Sequence, residues 1–112
     1  MDSKLTHYQQ LLKTIVTRQS QVISSDPNCE LLPVCDLENN QFLVIDTGWN
    51  VAGRVHNLVF HARIKNDKIW IEWDGFENGV TEELLDAGVP HQDIVLAFYR
   101  PERRKLTDFA VA

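Results

Sequence analysis

The chain has no apolar run close to the roughly 20 residues that a bilayer-crossing helix requires. Its opening residues, Met1-Asp2-Ser3-Lys4, also lack the apolar centre of a secretory signal. Together these absences predict a cytoplasmic chain with no membrane partner. Cysteine is scarce: Cys29 and Cys35 provide neither the number for a disulfide framework nor the CxxC spacing of a zinc knuckle. Both are expected to be reduced, partly buried side chains. The glycines, Gly48, Gly53, Gly75, Gly79 and Gly88, are scattered among turns, which excludes a Gly-rich phosphate loop. No serine lies in a GxSxG elbow and neither cysteine has a histidine close in sequence, so nucleophilic catalysis has no candidate.

What is present is an ordinary globular composition. The 112 residues are 44% hydrophobic and 24% charged, enough for one domain, residues 1–112, around a single two-layer core. The net charge of −5 is unevenly placed. Residues 67–93 carry eight acids against the single base Lys68. Residues 100–112 carry four bases, Arg100, Arg103, Arg104 and Lys105, against Glu102 and Asp108. An acidic body repels phosphates, which argues against autonomous tight DNA binding.

Periodicity supplies the elements. Leu5 to Ile23 carries one apolar stripe (Leu5, Tyr8, Leu11, Leu12, Ile15, Val16, Val22, Ile23) and predicts an amphipathic helix, capped by Asp2 or Ser3. After the break at Ser24-Ser25-Asp26-Pro27-Asn28 the period becomes two. Glu30–Leu37 predicts a first strand that Pro33 places at an edge or bulge. Phe42–Trp49 has apolar residues on both faces and predicts a central strand. In Arg54–Lys65, alternation puts Leu58, Phe60, Ala62 and Ile64 on one face, and in Lys68–Trp73 it groups Ile69, Ile71 and Trp73. Val80–Ala87 predicts a short helix with Gly88 at its left-handed end, and Asp93–Tyr99 a final strand. The expected architecture is α+β: a long N-terminal amphipathic helix on a four- or five-stranded, mostly antiparallel meander, a short second helix near 80–87, and a C-terminal tail.

The candidates for chemistry each have a plainer reading. His56 and His61 are five apart on one strand, so alternation puts them on opposite faces, where they share no ion without a bulge between them. His7 and His91 are isolated in sequence, and no metal or cofactor is expected. Asp46, Glu72 and Asp74, with Lys68, invite comparison with a metal-dependent nuclease. Alternation puts Glu72 and Asp74 on one face, but the expected lysine two residues after Glu72 is replaced by Asp74, so a solvated acidic sheet face is preferred. Trp73 is expected in the core. Trp70 falls on the polar face, where the chain's own helix or tail is expected to cover it, with a partner's surface as the alternative. The cluster Arg100, Arg103, Arg104, Lys105 is read first as pairing with the acidic helix, and second as contact with another protein. Its DNA signal is weak, because no aromatics interleave the bases.

One resemblance organises these pieces. Asp46-Thr47-Gly48-Trp49, Lys68-Ile69-Trp70-Ile71, Asp74-Gly75, the run Glu83-Leu84-Leu85-Asp86-Ala87-Gly88-Val89-Pro90, the run Asp93-Ile94-Val95-Leu96-Ala97-Phe98 and the ending Phe109-Ala110-Val111-Ala112 occur in an order that resembles the XisI family, the fdxN element excision controlling factors of cyanobacteria. Glu30–Asn40 departs most. The resemblance implies a non-enzymatic accessory factor for site-specific DNA element excision during heterocyst differentiation. It further implies protein–protein contact with an XisH-like partner and a recombinase. It supplies no catalytic residues. Two alternatives remain: a recombination directionality factor that touches DNA through Arg100, Arg103, Arg104 and Lys105, and a nuclease using Glu72 and Asp74. A homodimer is compatible with a small sheet that has an exposed edge or face.

Overall fold

The structure, a computed structural model, describes residues 3–21 and 26–112. Helix α1 spans Lys4–Ser20, and the Ser3 hydroxyl caps it by accepting the Thr6 amide at 3.0 Å. Tyr8, Leu12, Ile15 and Val16 form its buried stripe, at the spacing that places side chains on one face. Gln21 caps the end of the helix; Val22 and Ile23, the last positions of the expected stripe, lie outside the described residues.

Five strands follow the order β1 (Cys29–Asp36), β2 (Gln41–Asn50), β3 (Gly53–Lys65), β4 (Lys68–Asp74) and β5 (Ile94–Leu96), which is also their order in the sheet. The first four form the expected antiparallel meander. Asn66 and Asp67, with φ of 55° and 62°, make the tight β3–β4 turn, a conformation that Asn and Asp tolerate well. Pro33 lies inside β1, where an edge strand accommodates the missing donor. β5 pairs parallel to β4, because the chain crosses over through helix α2 (Thr81–Asp86) and a 3₁₀ turn at His91–Asp93. The final segment contains helix α3 (Pro101–Arg104) and returns so that Ala110 bridges to Val95. Among the described residues, no helix is long and apolar enough to cross a membrane.

Both longer helices pack on one face of the sheet. Phe42, Val44, Phe60, Ala62, Ile69 and Ile71 meet Tyr8, Leu12, Ile15 and Val16 of α1, with Val80, Leu84 and Val89 completing the core around α2. Arg18 of α1 and Glu83 of α2 form an ion pair that ties the two helices together.

Two interruptions of register change which side chains belong to that core. Val44 pairs with Phe60 but Ile45 pairs with Leu58, so Val59 is an extra residue in β3. Ala62 pairs with Ile71 but His61 pairs with Trp73, so Glu72 is an extra residue in β4. Each bulge reverses the alternation beyond it. Leu58, expected beside Phe60, therefore stands on the other face, 42% exposed. Trp73, expected in the core, is likewise turned out and 53% exposed. Val59 instead packs against the core.

Two positions fix how the chain enters this sheet. Gly48 has φ of +151°, and a Cβ there would lie 2.1 Å from the Asn28 carbonyl oxygen, inside any tolerable contact. Gly48→Ala is expected to destabilise the fold by about 3 kcal/mol, combining strain and clash. Thermal unfolding followed by circular dichroism would show a midpoint lower by about 10 °C or more.

The second position links α1 to the turn before β5. The Tyr8 hydroxyl donates to Asp93 Oδ2 at 2.5 Å, and Lys4 Nζ lies 3.0 Å from the same oxygen. Burial pushes the Asp93 carboxyl up, but the hydrogen bonds from Tyr8 and Lys4 outweigh it and hold the carboxyl below its ordinary range. Burial, then the bond to Asp93, pushes the Tyr8 hydroxyl up. A carboxyl lowered on folding contributes stability above its unfolded value of about 3.9, and loses it as pH falls through the folded value. The raised phenol contributes below its unfolded value of about 10 and loses that contribution as pH rises further. Tyr8→Phe is expected to cost about 2 kcal/mol near neutral pH, since it removes a charge-assisted donor from a buried carboxylate. In urea titrations the gap between the two proteins should narrow as pH falls well below about 4.

Candidate functional site

The C-terminal segment is built around one arginine. Pro101 occupies the first turn of α3, where a missing amide donor costs nothing, and the helix aims Arg104 back across the sheet end. Its guanidinium donates to the carbonyls of Tyr99 at 2.9 Å, Ala97 at 3.1 Å, and Leu96 and Val111 at 3.3 Å. It also lies 5.7 Å from the Trp70 ring centroid. The planar fork of arginine suits this task, because it presents several donors in fixed directions.

Trp70 is the floor of the assembly. Its indole N–H donates to the Lys65 carbonyl at 3.1 Å, and Val95, Ala97 and Ala110 pack against its ring. The cations of Lys65, Arg63 and Arg104 lie 5.0, 5.7 and 5.7 Å from its centroid. At 8% exposure, Trp70 is covered by the chain's own tail. The cover expected first, from the chain's own tail, is thus in place, and the ring's surface is used within the chain. Stacking of Phe109 on His91, a bond from Gln92 Nε2 to the Asp108 carbonyl and one from Lys68 Nζ to the Ala112 carbonyl complete the docking of the tail.

The four-cation cluster divides on this basis. Arg104 points inward, whereas Arg100, Arg103 and Lys105 are exposed. Arg103 lies over the Tyr99 ring, 4.7 Å from its centroid, and Phe98 packs on the same ring. With Glu102, Leu106 and Thr107 these residues line an open cleft of about 800 Å³. Pairing of the cluster with the acidic helix, the first reading from sequence, is replaced by a different arrangement. Glu83 of α2 pairs with Arg18, and Arg104 spends its donors on carbonyls at the end of β5 and in the tail.

The structure separates the other candidates. Glu72 pairs with Arg63 at 2.9 Å on the face away from the helices. Asp74 lies beyond the bulge and accepts the Phe76 and Val80 amides at 3.2 and 2.8 Å, organising the turn that leads to α2. The two carboxylates expected to share a face do not, because Glu72 is the bulged residue. Asp46 sits farther along β2, opposite Leu31 and Asn57, with Oδ1 buried and, among the described residues, without a hydrogen-bond partner. The described residues hold no group of three or more His, Cys, Asp or Glu side chains placed to bind a metal ion.

His56 and His61 are the converse case. The Val59 bulge puts both on the same face, opposite Thr47 and Leu43, which corrects the expectation of opposite faces. Four residues of strand separate those partners, about 13 Å, and His61 is held by Gln41 at 2.7 Å. Cys29 and Cys35 are free and lie six residues apart on one strand, about 20 Å, which a disulfide cannot bridge. Burial pushes both thiols up, away from the reactive thiolate.

Sequence reasoning missed the distinct role of Arg104 and the outward turn of Leu58 and Trp73. Within Arg100–Lys105 nothing local marks one base as different, and no residue type signals a bulge at Val59 or Glu72.

Comparison with curated protein sequences gave no match, but comparisons with family profiles and solved structures did. The profile of the XisI protein family matches residues 1–111. The crystal structure of fdxN element excision controlling factor XisI from Anabaena variabilis superposes with a TM-score of 0.85 at 35% identity, covering 98% of this chain and 100% of the other. A XisI-like protein from the same organism superposes with a TM-score of 0.89 at 35% identity, covering 96% and 99%. A match over nearly the whole sequence and agreement of the fold from helix α1 through the tail make this chain a member of the XisI family.

Proposed function

We propose that this chain is an accessory controlling factor in site-specific excision of a DNA element, and that it acts through contacts with other proteins rather than by catalysis. Its direct partner is an XisH-like protein, and a recombinase is the machinery it influences. The heterocyst setting and the cytoplasmic location are part of the same proposal. The observation that carries it is the C-terminal surface. Arg104 and Trp70 hold its base rigidly, while Phe98 and Leu106 stand exposed beside Arg100, Arg103 and Lys105. Aromatic, aliphatic and arginine side chains on a fixed backbone are the composition of a protein-binding hot spot, where little ordering entropy opposes docking.

The same geometry weakens the direct DNA alternative. With Arg104 committed to carbonyls, the cluster keeps three outward bases, on a chain of net charge −5. Three phosphate contacts would give a salt slope of only about −3, little to set against the repulsion of the acidic body.

Native copurification of the tagged chain tests the proposal. A nuclease-resistant XisH-like protein in the eluate is the expected result. Recovery of a recombinase only while DNA is intact would instead favour direct action on the element. The division of the cluster makes a paired prediction. Arg104→Gln is expected to destabilise the fold by about 2 kcal/mol, because several partly buried carbonyls lose a charged donor at once. The triple change Arg100→Glu, Arg103→Glu, Lys105→Glu is expected to alter stability by less than about 1 kcal/mol, since all three are exposed, yet to remove the partner from the eluate. Melting curves and the pull-down, run on both variants, check the two halves.

A further inference from the structure

The sheet face away from α1 and α2 is covered only at its β4–β5 end, where Ala110 and Arg104 close over Trp70. The rest of that face, across β1, β2, β3 and the end of β4, has no cover among the described residues. An uncovered face of an antiparallel sheet is ordinarily polar. Here Leu43 and Ile45 of β2 form a half-buried centre, and Leu32, Leu58, Trp49 and Trp73 surround it, all four exposed. The register places them together: Ile45 lies between Leu32 and Leu58, and Leu43 lies beside His61, which itself pairs with Trp73. Both bulges contribute, because without the reversal at Val59 and Glu72 neither Leu58 nor Trp73 would be on this side.

We propose that this face is the interface of a twofold homodimer, in which two copies pack sheet against sheet. Area is the first argument. Strands β1–β3 and the end of β4, at about 4.8 Å spacing and about eight residues or more of length, give a flat footprint of roughly 15–20 by 25 Å, which side-chain relief raises toward the ~800 Å² per partner of a stable interface. Charge is the second. The polar groups on the face balance: Arg63 is paired with Glu72, and Arg54, which lies over Trp49, is matched by Glu30 across the face. A patch that is apolar at its centre and near-neutral at its rim is complementary to itself, as a twofold contact requires. The acidic residues of the turn before α2 and of α2 itself, Glu77, Glu82, Glu83 and Asp86, lie on the helix side of the sheet. Sheet-to-sheet packing therefore points the acidic layers of the two copies away from each other, so the net charge of −5 on each chain does not oppose this contact. A nucleic acid would find no basic surface here.

Sedimentation equilibrium of the full chain tests the inference. A species of twice the 12.9 kDa chain mass, with a dissociation constant of about 1 µM or tighter, is expected. Leu58→Glu and Trp73→Lys, each at an exposed position, should weaken association by about 100-fold or more while leaving the melting curve in place. Leu106→Glu, in the C-terminal cleft, should leave the mass unchanged. A chain that stays monomeric at about 100 µM overturns the proposal. So does a dimer indifferent to Leu58→Glu and Trp73→Lys, or one broken only by Leu106→Glu. A monomer whose face variants lose an XisH-like protein would assign the face to that partner and overturn the dimer as well.

Discussion

The period-two alternation of a strand, and its interruption at Val59 and Glu72, is the constraint on which the rest of this structure depends. A strand side chain has two faces available, and one extra residue exchanges them for everything beyond it. The two bulges lie close together, one in β3 and one in β4, and the amide of Gly75 closes on the Val59 carbonyl at 2.7 Å between them. They bend two neighbouring strands at the same level. On the side toward β5, hydrophobic residues face the helices and the core is complete. Beyond the bulges, Leu58 and Trp73 are delivered to the opposite face instead.

That exchange gives the molecule two surfaces with different origins. The C-terminal surface is made by docking: β5 is only three residues long, too short to hold the following chain by ladder bonds alone. Arg104 compensates by collecting carbonyls from the strand end and the tail over the Trp70 ring. The result frees Arg100, Arg103, Phe98 and Leu106 to face outward on a fixed backbone. The sheet surface is made by register and needs no docked segment. One surface combines cations with apolar groups, the other is apolar and nearly neutral, and the acidic layer around α2 is distinct from both.

Much of the fold was legible in the residues. The stripe Tyr8, Leu12, Ile15, Val16 required a helix with one buried face, and the turns at Asn66-Asp67 and Gly88 required left-handed backbone that those residues supply. The meander followed from short polar turns between alternating runs. The cover over Trp70 was also readable, because an indole on a polar face is costly to leave in water. The candidate site was less legible. Arg100, Arg103, Arg104 and Lys105 form one basic run by sequence, yet they divide into a structural residue and three outward ones.

The helix, the four antiparallel strands, the family and the lack of any nucleophilic or phosphate-binding motif are all written in local pattern and residue chemistry. Packing across the sheet, by contrast, buries Trp70 while exposing Trp73, brings His56 and His61 to one face, and parts Glu72 from Asp74. The reason is physical: a bulge is set by how two strands meet across space, and a guanidinium is directed by carbonyls brought to it from distant parts of the chain. Neither leaves a mark on the residues that lie beside it in sequence.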